Sequence, residues 1–315
     1  MSPRPRFVLN FSGTGMLEKT ANATKRLRGL AADEHTSRAR LCAIIAASSV
    51  FTDREVALEA AKDAARAANE IDDEVAYAWA LLAQCIVNLS CEATARRLTM
   101  SAEILNIAAR TEDTEFVDCA YFLHLAALAE LGQMDDLDQA LSPVGPLITR
   151  FPWLENGRHV TWFRCLQSTL DGQATRAEEL AHTGLTIAQA SDDPDAQTVW
   201  IGQLGVIRWM QGRVTELEPA FLQARQSAPH EPVWAASLAW MWLEQGRRSA
   251  ARALVSTFPP VPQMTVDRNW LSTTCILAEV TSELGDRRRA QELQSALLPF
   301  ADRVVTIGGS SQLRG

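Results

Sequence analysis

The segment GTGMLEKT, Gly13 to Thr20, has the glycine and Lys-Thr spacing of a phosphate-binding loop, and an apolar FVLNF precedes it. A working loop needs glycine where Glu18 stands, because the backbone must approach phosphate closely and a carboxylate repels it. No nucleotide or other cofactor is therefore expected. The five histidines (His35, His124, His159, His182 and His230) form no H-E-x-x-H and pair with no cysteine at ligand spacing, which argues against a metal site. His124, within YFLHLAALAE, reads as a packing residue of an apolar helix. No serine sits in G-x-S-x-G, and the six cysteines form no C-x-x-C pair. In contexts such as LCAII and AQCIV a thiol serves as a small hydrophobe, so a reduced, cytoplasmic protein with no dedicated catalytic residue is the economical expectation.

Charge narrows the partners. The 315 residues carry 30 basic and 38 acidic side chains, a net charge of -8, which disfavours direct binding to nucleic acid or an anionic membrane. Of the basic residues only Lys19, Lys25 and Lys62 are lysine, an arginine bias common in chains from GC-rich bacterial genomes. No apolar run is long enough to span a bilayer, and the N-terminus lacks a signal-peptide core.

The elements that must position any site are helices. Apolar residues recur at i, i+3, i+4 and i+7 through most of the chain, and only residues 6–11 look strand-like. Gly132, Gly172, Gly212, Gly246 and Gly285 each follow an apolar run, as a left-handed helix cap requires, at spacings of 40, 40, 34 and 39 residues. Before such turns stand Leu-small pairs: Leu82-Ala83, Leu204-Gly205, Leu238-Ala239 and Leu277-Ala278. Ala95, Ala251 and Ala290 follow five residues after their turns. In these features the chain resembles a divergent tetratricopeptide array over residues 35–300, which implies an all-α solenoid of about seven helical hairpins. First helices are expected near 35–50, 72–88, 113–131, 157–171, 194–211, 231–245 and 265–284. Their partners are expected near 54–69, 92–110, 134–149, 174–190, 214–227, 247–257 and 287–303. Thr52 reads as an N-cap, and Pro143 and Pro146 should break the helix near 134–149. The expected organisation is a flexible segment 1–14, one repeat domain over 15–305, and a flexible tail 306–315.

The stretch LLPFADRVVTIGG, Leu297 to Gly309, is similar to a segment in the helical-repeat regions of large ATP-binding LuxR-family regulators of actinobacteria. That resemblance implies a sensor arm.

Two surface features remain. Arg96-Arg97, Arg247-Arg248 and Arg287-Arg288-Arg289 cluster at inter-helix turns, either as a solvated edge or as a basic strip for an acidic partner. Eight of nine tryptophans fall on first helices, which in the resembling arrays line the concave surface. Trp79 and Tyr121 hold the position that packs within a repeat, and Trp200 and Trp234 lie one residue off it. Trp162, Trp209 and Trp240 instead fall ten, three and six residues before their turns, offsets that such repeats direct into the groove. His159, Phe122, Gln84 and Glu279 share that face. These seven residues are the candidate site, with core packing of the indoles as the alternative. The expected function is noncatalytic binding of a protein, peptide or small apolar molecule in this groove. The alternative is an enzyme of biosynthetic cyclase type, with His159 or Glu279 as acid/base.

Overall fold

The computed structural model describes residues 16–229, 231–307 and 311–312. Their fold is all-α. Sixteen α-helices account for nearly all the regular structure among the described residues. The strand-like residues 6–11, the glycines of the phosphate-loop-like motif and His230 lie outside them.

The described chain divides into two compact units. One runs to Leu89 and takes in Ala93–Leu128 and Thr149–Phe151; the other takes Ser90–Glu92, Ala129–Ile148 and the chain from Pro152 onward. The first unit holds α1 (Met16–Arg28), α2 (His35–Ser49), α3 (Arg54–Asn69), α4 (Glu74–Val87), α5 (Thr94–Thr111) and most of α6 (Val117–Glu130). There α2 packs on α1, α3 and α4, and α4 packs on α3 and α5. Trp79 and Tyr121 are buried in this unit, and Trp79 meets Phe116 edge-on with ring centroids 5.3 Å apart. The helix α1 was not expected. It absorbs Met16–Thr20 of the phosphate-loop-like motif: Glu18 and Lys19 are exposed, and the Thr20 hydroxyl donates to Ser48 Oγ at 2.7 Å. The cap of α3 is Asp53, which accepts from the Val56 N–H at 3.1 Å, one residue beyond the expected Thr52.

The second unit continues with α7 (Met134–Leu141), most of α8 (Pro146–Arg150), α9 (Arg158–Leu170), α10 (Ala174–Ala190), α11 (Ala196–Met210) and α12 (Glu218–Ser227). It closes with α13 (Pro232–Glu244), α14 (Arg248–Val255), α15 (Trp270–Leu284) and α16 (Arg287–Leu297). Pro143 and Pro146 separate α7 from α8, as their missing N–H groups and fixed φ demand. From α9 onward each helix packs on its sequence neighbour, and α9 with α11, and α13 with α15, also meet directly.

All five turn glycines adopt positive φ, between 68 and 80°. A Cβ would be strained there, so glycine at these positions is a backbone requirement. Four of the turns repeat one hydrogen-bond pattern. The N–H of the residue after Gly172, Gly212, Gly246 and Gly285 reaches back to Ser168, Arg208, Trp242 and Thr281 carbonyls at 2.6–2.9 Å.

A side-chain clamp recurs with the same period. Glu178 and Glu218 each stand six residues past their turn glycines, Gly172 and Gly212. Glu178 accepts from Arg208 Nη2 at 2.5 Å and Gln211 Nε2 at 2.7 Å. Glu218 accepts from Trp242 Nε1 at 2.8 Å and Gln245 Nε2 at 3.2 Å. The partners are again equivalent, four and one residues before Gly212 and Gly246. Each clamp ties the second helix of one hairpin to the first helix of the next. Hydrogen bonds from Arg208, then Gln211, pull the Glu178 carboxyl down to about 2, and those from Arg247, then Trp242, lower that of Glu218. A carboxylate depressed in the folded state stabilises it above the unfolded value of 4.5, and that contribution is lost as pH falls through about 2. Melting temperature should therefore drop across this window, and Glu178→Gln should flatten the drop. An identical acid limb in that variant would count against the clamp.

Several arginines of the clusters bond within the fold, although Arg96, Arg247, Arg248, Arg287 and Arg288 are exposed. Arg97 is only 1% exposed and donates to the Asn88 carbonyl at 3.1 Å. Arg248 and Arg252 donate to the Glu283 and Leu284 carbonyls at 2.6 and 2.7 Å, where the α15 dipole is negative. Arg289 reaches the Pro259 carbonyl at 3.0 Å, and Arg247 lies over the Trp242 ring, 4.8 Å from its centroid.

After α16 the chain turns back. Phe300 packs edge-on against Trp270, and the Val304 N–H donates to the Glu130 carbonyl at 3.2 Å. Val305 joins Cys91, Trp270 and Leu271 in a small core. The strand β1 (Thr306–Ile307) then pairs antiparallel with β2 (Ser311–Gln312), within the segment expected to be a tail. The pair lies against α9, α11 and α15.

Candidate functional site

In the second unit α11, α13 and α15 present one face each to a common pocket. The face of α11 is Gly202, Gly205, Val206 and Trp209, spaced i, i+3, i+4 and i+7. From α13 come Trp234, Ser237 and Trp240, and from α15 come Ile276 and Glu279. Phe221 of α12 and Ile307 of β1 complete the wall. The cavity between them has a volume of about 40 Å³.

Local sequence explains the aromatic lining. Gly205 occupies the small position after Leu204, and a Cβ there would stand 3.1 Å from Phe221 Cζ. Its absence lets the phenyl ring reach between α11 and α13, where it meets Trp234 with centroids 6.0 Å apart. Trp209 and Trp240, both half-buried, form a corner: their centroids are 6.2 Å apart and their planes inclined by 52°. The Trp240 indole N–H is buried without a hydrogen-bond partner, so the part of this ring left accessible is carbon. Glu279, half-buried, is the one ionisable side chain among the described residues lining the pocket.

Three of the seven candidate residues, Trp209, Trp240 and Glu279, thus meet in one site. The others do not join them. Trp162 is 3% exposed, packed among Ala188, Ala196, Leu185 and Val199. Its indole lies on α10 where Gly184 has no side chain, and a Cβ there would come within 2.8 Å of Trp162 Cδ1. His159 is also buried, edge-on to Trp162 at 5.4 Å, and the Arg158 guanidinium lies 5.7 Å from the same indole. The expectation that Trp162 and His159 open onto a groove is corrected: the close approach of α9 and α10 seals them. Phe122 and Gln84 belong to the first unit. Phe122 is buried in α6, and half-buried Gln84 accepts from Arg96 Nη2 at 2.9 Å across its own turn.

Sequence reasoning missed Ser237 and Ile276, although each stands three residues before a candidate on the same helix face. It had no signal for Phe221, on a second helix, or for Ile307, far along the chain. A second, open depression beside α7, α9 and α10 is polar, lined by Asp135, Asp138, Asp171, Arg164 and Arg176. Arg164 is engaged there with the Leu141 carbonyl, and Gln167 with Asp138.

Nucleophilic chemistry finds little support. Burial pushes the thiols of Cys85 and Cys165 up to about 12, and that of Cys275, near Glu279, to about 11, far from the thiolate form. Among the described residues no cluster of three or more His, Cys, Asp or Glu could hold a metal ion, and no helix is long and apolar enough to cross a membrane. No family model matches the chain, and no curated protein matches it in sequence.

Proposed function

We propose that this chain is a noncatalytic binding module, an array of about seven tetratricopeptide-like hairpins whose pocket on α11, α13 and α15 takes a small molecule with an apolar body. The observation that carries this reading is the convergence of Trp209, Trp234, Trp240 and Phe221 on one pocket with a single carboxylate. Apolar walls with few polar groups suit ligand binding. The enzyme alternative is weaker, because His159, the second acid/base group it would use, packs against Trp162 instead. The repeated clamps at Glu178 and Glu218 support the stacked-hairpin architecture. The resemblance of residues 297–309 to regulator sensor arms supports a signalling role, since Ile307 of that segment lines the pocket.

The test is titration of a panel of compact apolar molecules, followed by intrinsic tryptophan fluorescence. Trp209→Ala and Trp240→Ala should each weaken binding about 30-fold or more, as aromatic anchors worth about 2 kcal/mol do. Both should cost less stability than Trp162→Ala. Wild-type affinity in both variants would remove the pocket from consideration.

A further inference from the structure

We propose that the polar depression beside α7, α9 and α10 is a second binding site, and that it takes a small zwitterion of the basic amino acid class.

The depression lies within the second unit, and its volume of about 370 Å³ is in the range of small-molecule sites. One wall is a polar face of the α9 segment: Arg164, Gln167, Ser168 and Asp171, spaced i, i+3, i+4 and i+7. Arg164 Nη2 donates to the Leu141 carbonyl at 2.9 Å, and Gln167 Nε2 donates to Asp138 at 3.2 Å, so α7 runs antiparallel to α9. Asp135, at the start of α7, therefore falls toward Asp171, just past the end of α9. Arg164 stands at the opposite end, two helical turns or about 10 Å away.

The groups that the fold leaves unanswered set the ligand. The carboxylates of Asp135 and Asp171 are exposed and make no hydrogen bond or ion pair among the described residues. Gln167 occupies one oxygen of Asp138 and leaves the other. Arg176 also lines the space, but Glu179, 3.0 Å away, answers its charge. Arg164 spends one donor on Leu141 and keeps the rest of its fork. Between the two ends Ser168, only 9% exposed, has a hydroxyl without a partner among the described residues, whereas that of Thr169 donates to the Cys165 carbonyl at 2.8 Å. A nearly buried hydroxyl left unpaired costs stability, and a polar occupant removes that cost.

An anion placed here meets three carboxylates, and a plain cation leaves Arg164 unused. A neutral molecule strips water from both charges and returns nothing. A diamino acid satisfies all of them: its carboxylate pairs with Arg164, its α-ammonium with Asp138, and its distal ammonium with Asp135 and Asp171. Its net positive charge also suits a chain of net charge -8.

The experiment titrates L-lysine, cadaverine, 6-aminohexanoate and hexanoate against the full chain by calorimetry at neutral pH. Cadaverine lacks the carboxylate of lysine, 6-aminohexanoate lacks its α-ammonium, and hexanoate lacks both amino groups. Lysine should bind about tenfold tighter than cadaverine or 6-aminohexanoate, the scale of one hydrogen bond to a charged group, and hexanoate weakest of all. Asp135→Asn combined with Asp171→Asn should weaken lysine about tenfold or more. The same variant should melt as the wild type does, since neither carboxylate has a partner in the fold to lose. Cadaverine binding as tightly as lysine would reduce the depression to a general cation site, and lysine binding that survives the double variant would put the ligand elsewhere. Either result, or no binding by any of the four, overturns the proposal.

Discussion

Replacing Trp162 with alanine is expected to destabilise the second unit by about 3–5 kcal/mol, the range for deleting a buried aromatic whose surroundings collapse only partly. The indole is sealed among Ala188, Ala196, Leu185 and Val199, and no ligand need be invoked for the loss. Gly184 supplies an internal control. A methyl group there would lie 2.8 Å from Trp162 Cδ1, so Gly184→Ala should itself cost about 1–3 kcal/mol by overpacking. In the Trp162→Ala background the clash disappears, and Gly184→Ala should become neutral or stabilising, since alanine favours helix over glycine. Urea unfolding of the four proteins closes a double-mutant cycle. Additive costs would show that the two residues do not share one slot. A loss below about 1 kcal/mol for Trp162→Ala would show the indole to be far less packed than its 3% exposure indicates.

Glu231→Gln is expected to produce the second large effect. Glu231 stands at the start of α13, where its carboxylate accepts from Arg268 Nη2 at 2.6 Å and from Asn269 Nδ2 at 2.5 Å. The side chains of the ion pair are only 8 and 10% exposed, so removing the Glu231 charge takes the carboxylate from a guanidinium held in a nearly dry setting. Breaking such a pair typically costs about 3–5 kcal/mol, mostly as the penalty on the charge left behind. Replacing both partners, as in Glu231→Leu with Arg268→Met, should recover much of the loss. The measurement is again denaturant unfolding. A double variant no better than Glu231→Gln alone would mean that geometry imposed by the pair, rather than the stranded guanidinium, limits stability.

Much of the helical layout was legible because its causes are local. A 3.6-residue apolar period decides helix along a segment whatever lies beyond it, and a glycine after such a run marks the place where φ must become positive. Hence α2, α4, α6, α9, α11, α13 and α15 lie within segments where the periodicity puts helices, and Gly132, Gly172, Gly212, Gly246 and Gly285 all take the left-handed turn. The clamps at Glu178 and Glu218 were present in the sequence as a turn-plus-six carboxylate, but a single chain does not distinguish that spacing from chance until the partners are seen in contact. The helix α1 escaped because its sequence, MLEKTANATKRLR, has few apolar residues and begins inside a glycine-containing motif.

By itself, then, the sequence determined that this protein is helical and where its turns lie, and it put eight of nine indoles on α4, α9, α11, α13 and α15. Which indoles meet a cavity was decided only by tertiary structure. Distance from a turn sets the angle at which a side chain leaves its helix, but not what occupies the space it enters. Trp162 leaves α9 toward α10 at the one point where Gly184 permits close approach, and is buried there. Trp209 and Trp240 leave α11 and α13 toward a space bounded by α15 and by Ile307, a residue brought from the far end of the chain. Phe221, admitted past Gly205, forms part of its wall. Each of these contacts joins residues distant in sequence, and those of Trp162 and Phe221 depend on a missing Cβ on a neighbouring helix, a property that no periodicity within a single helix records.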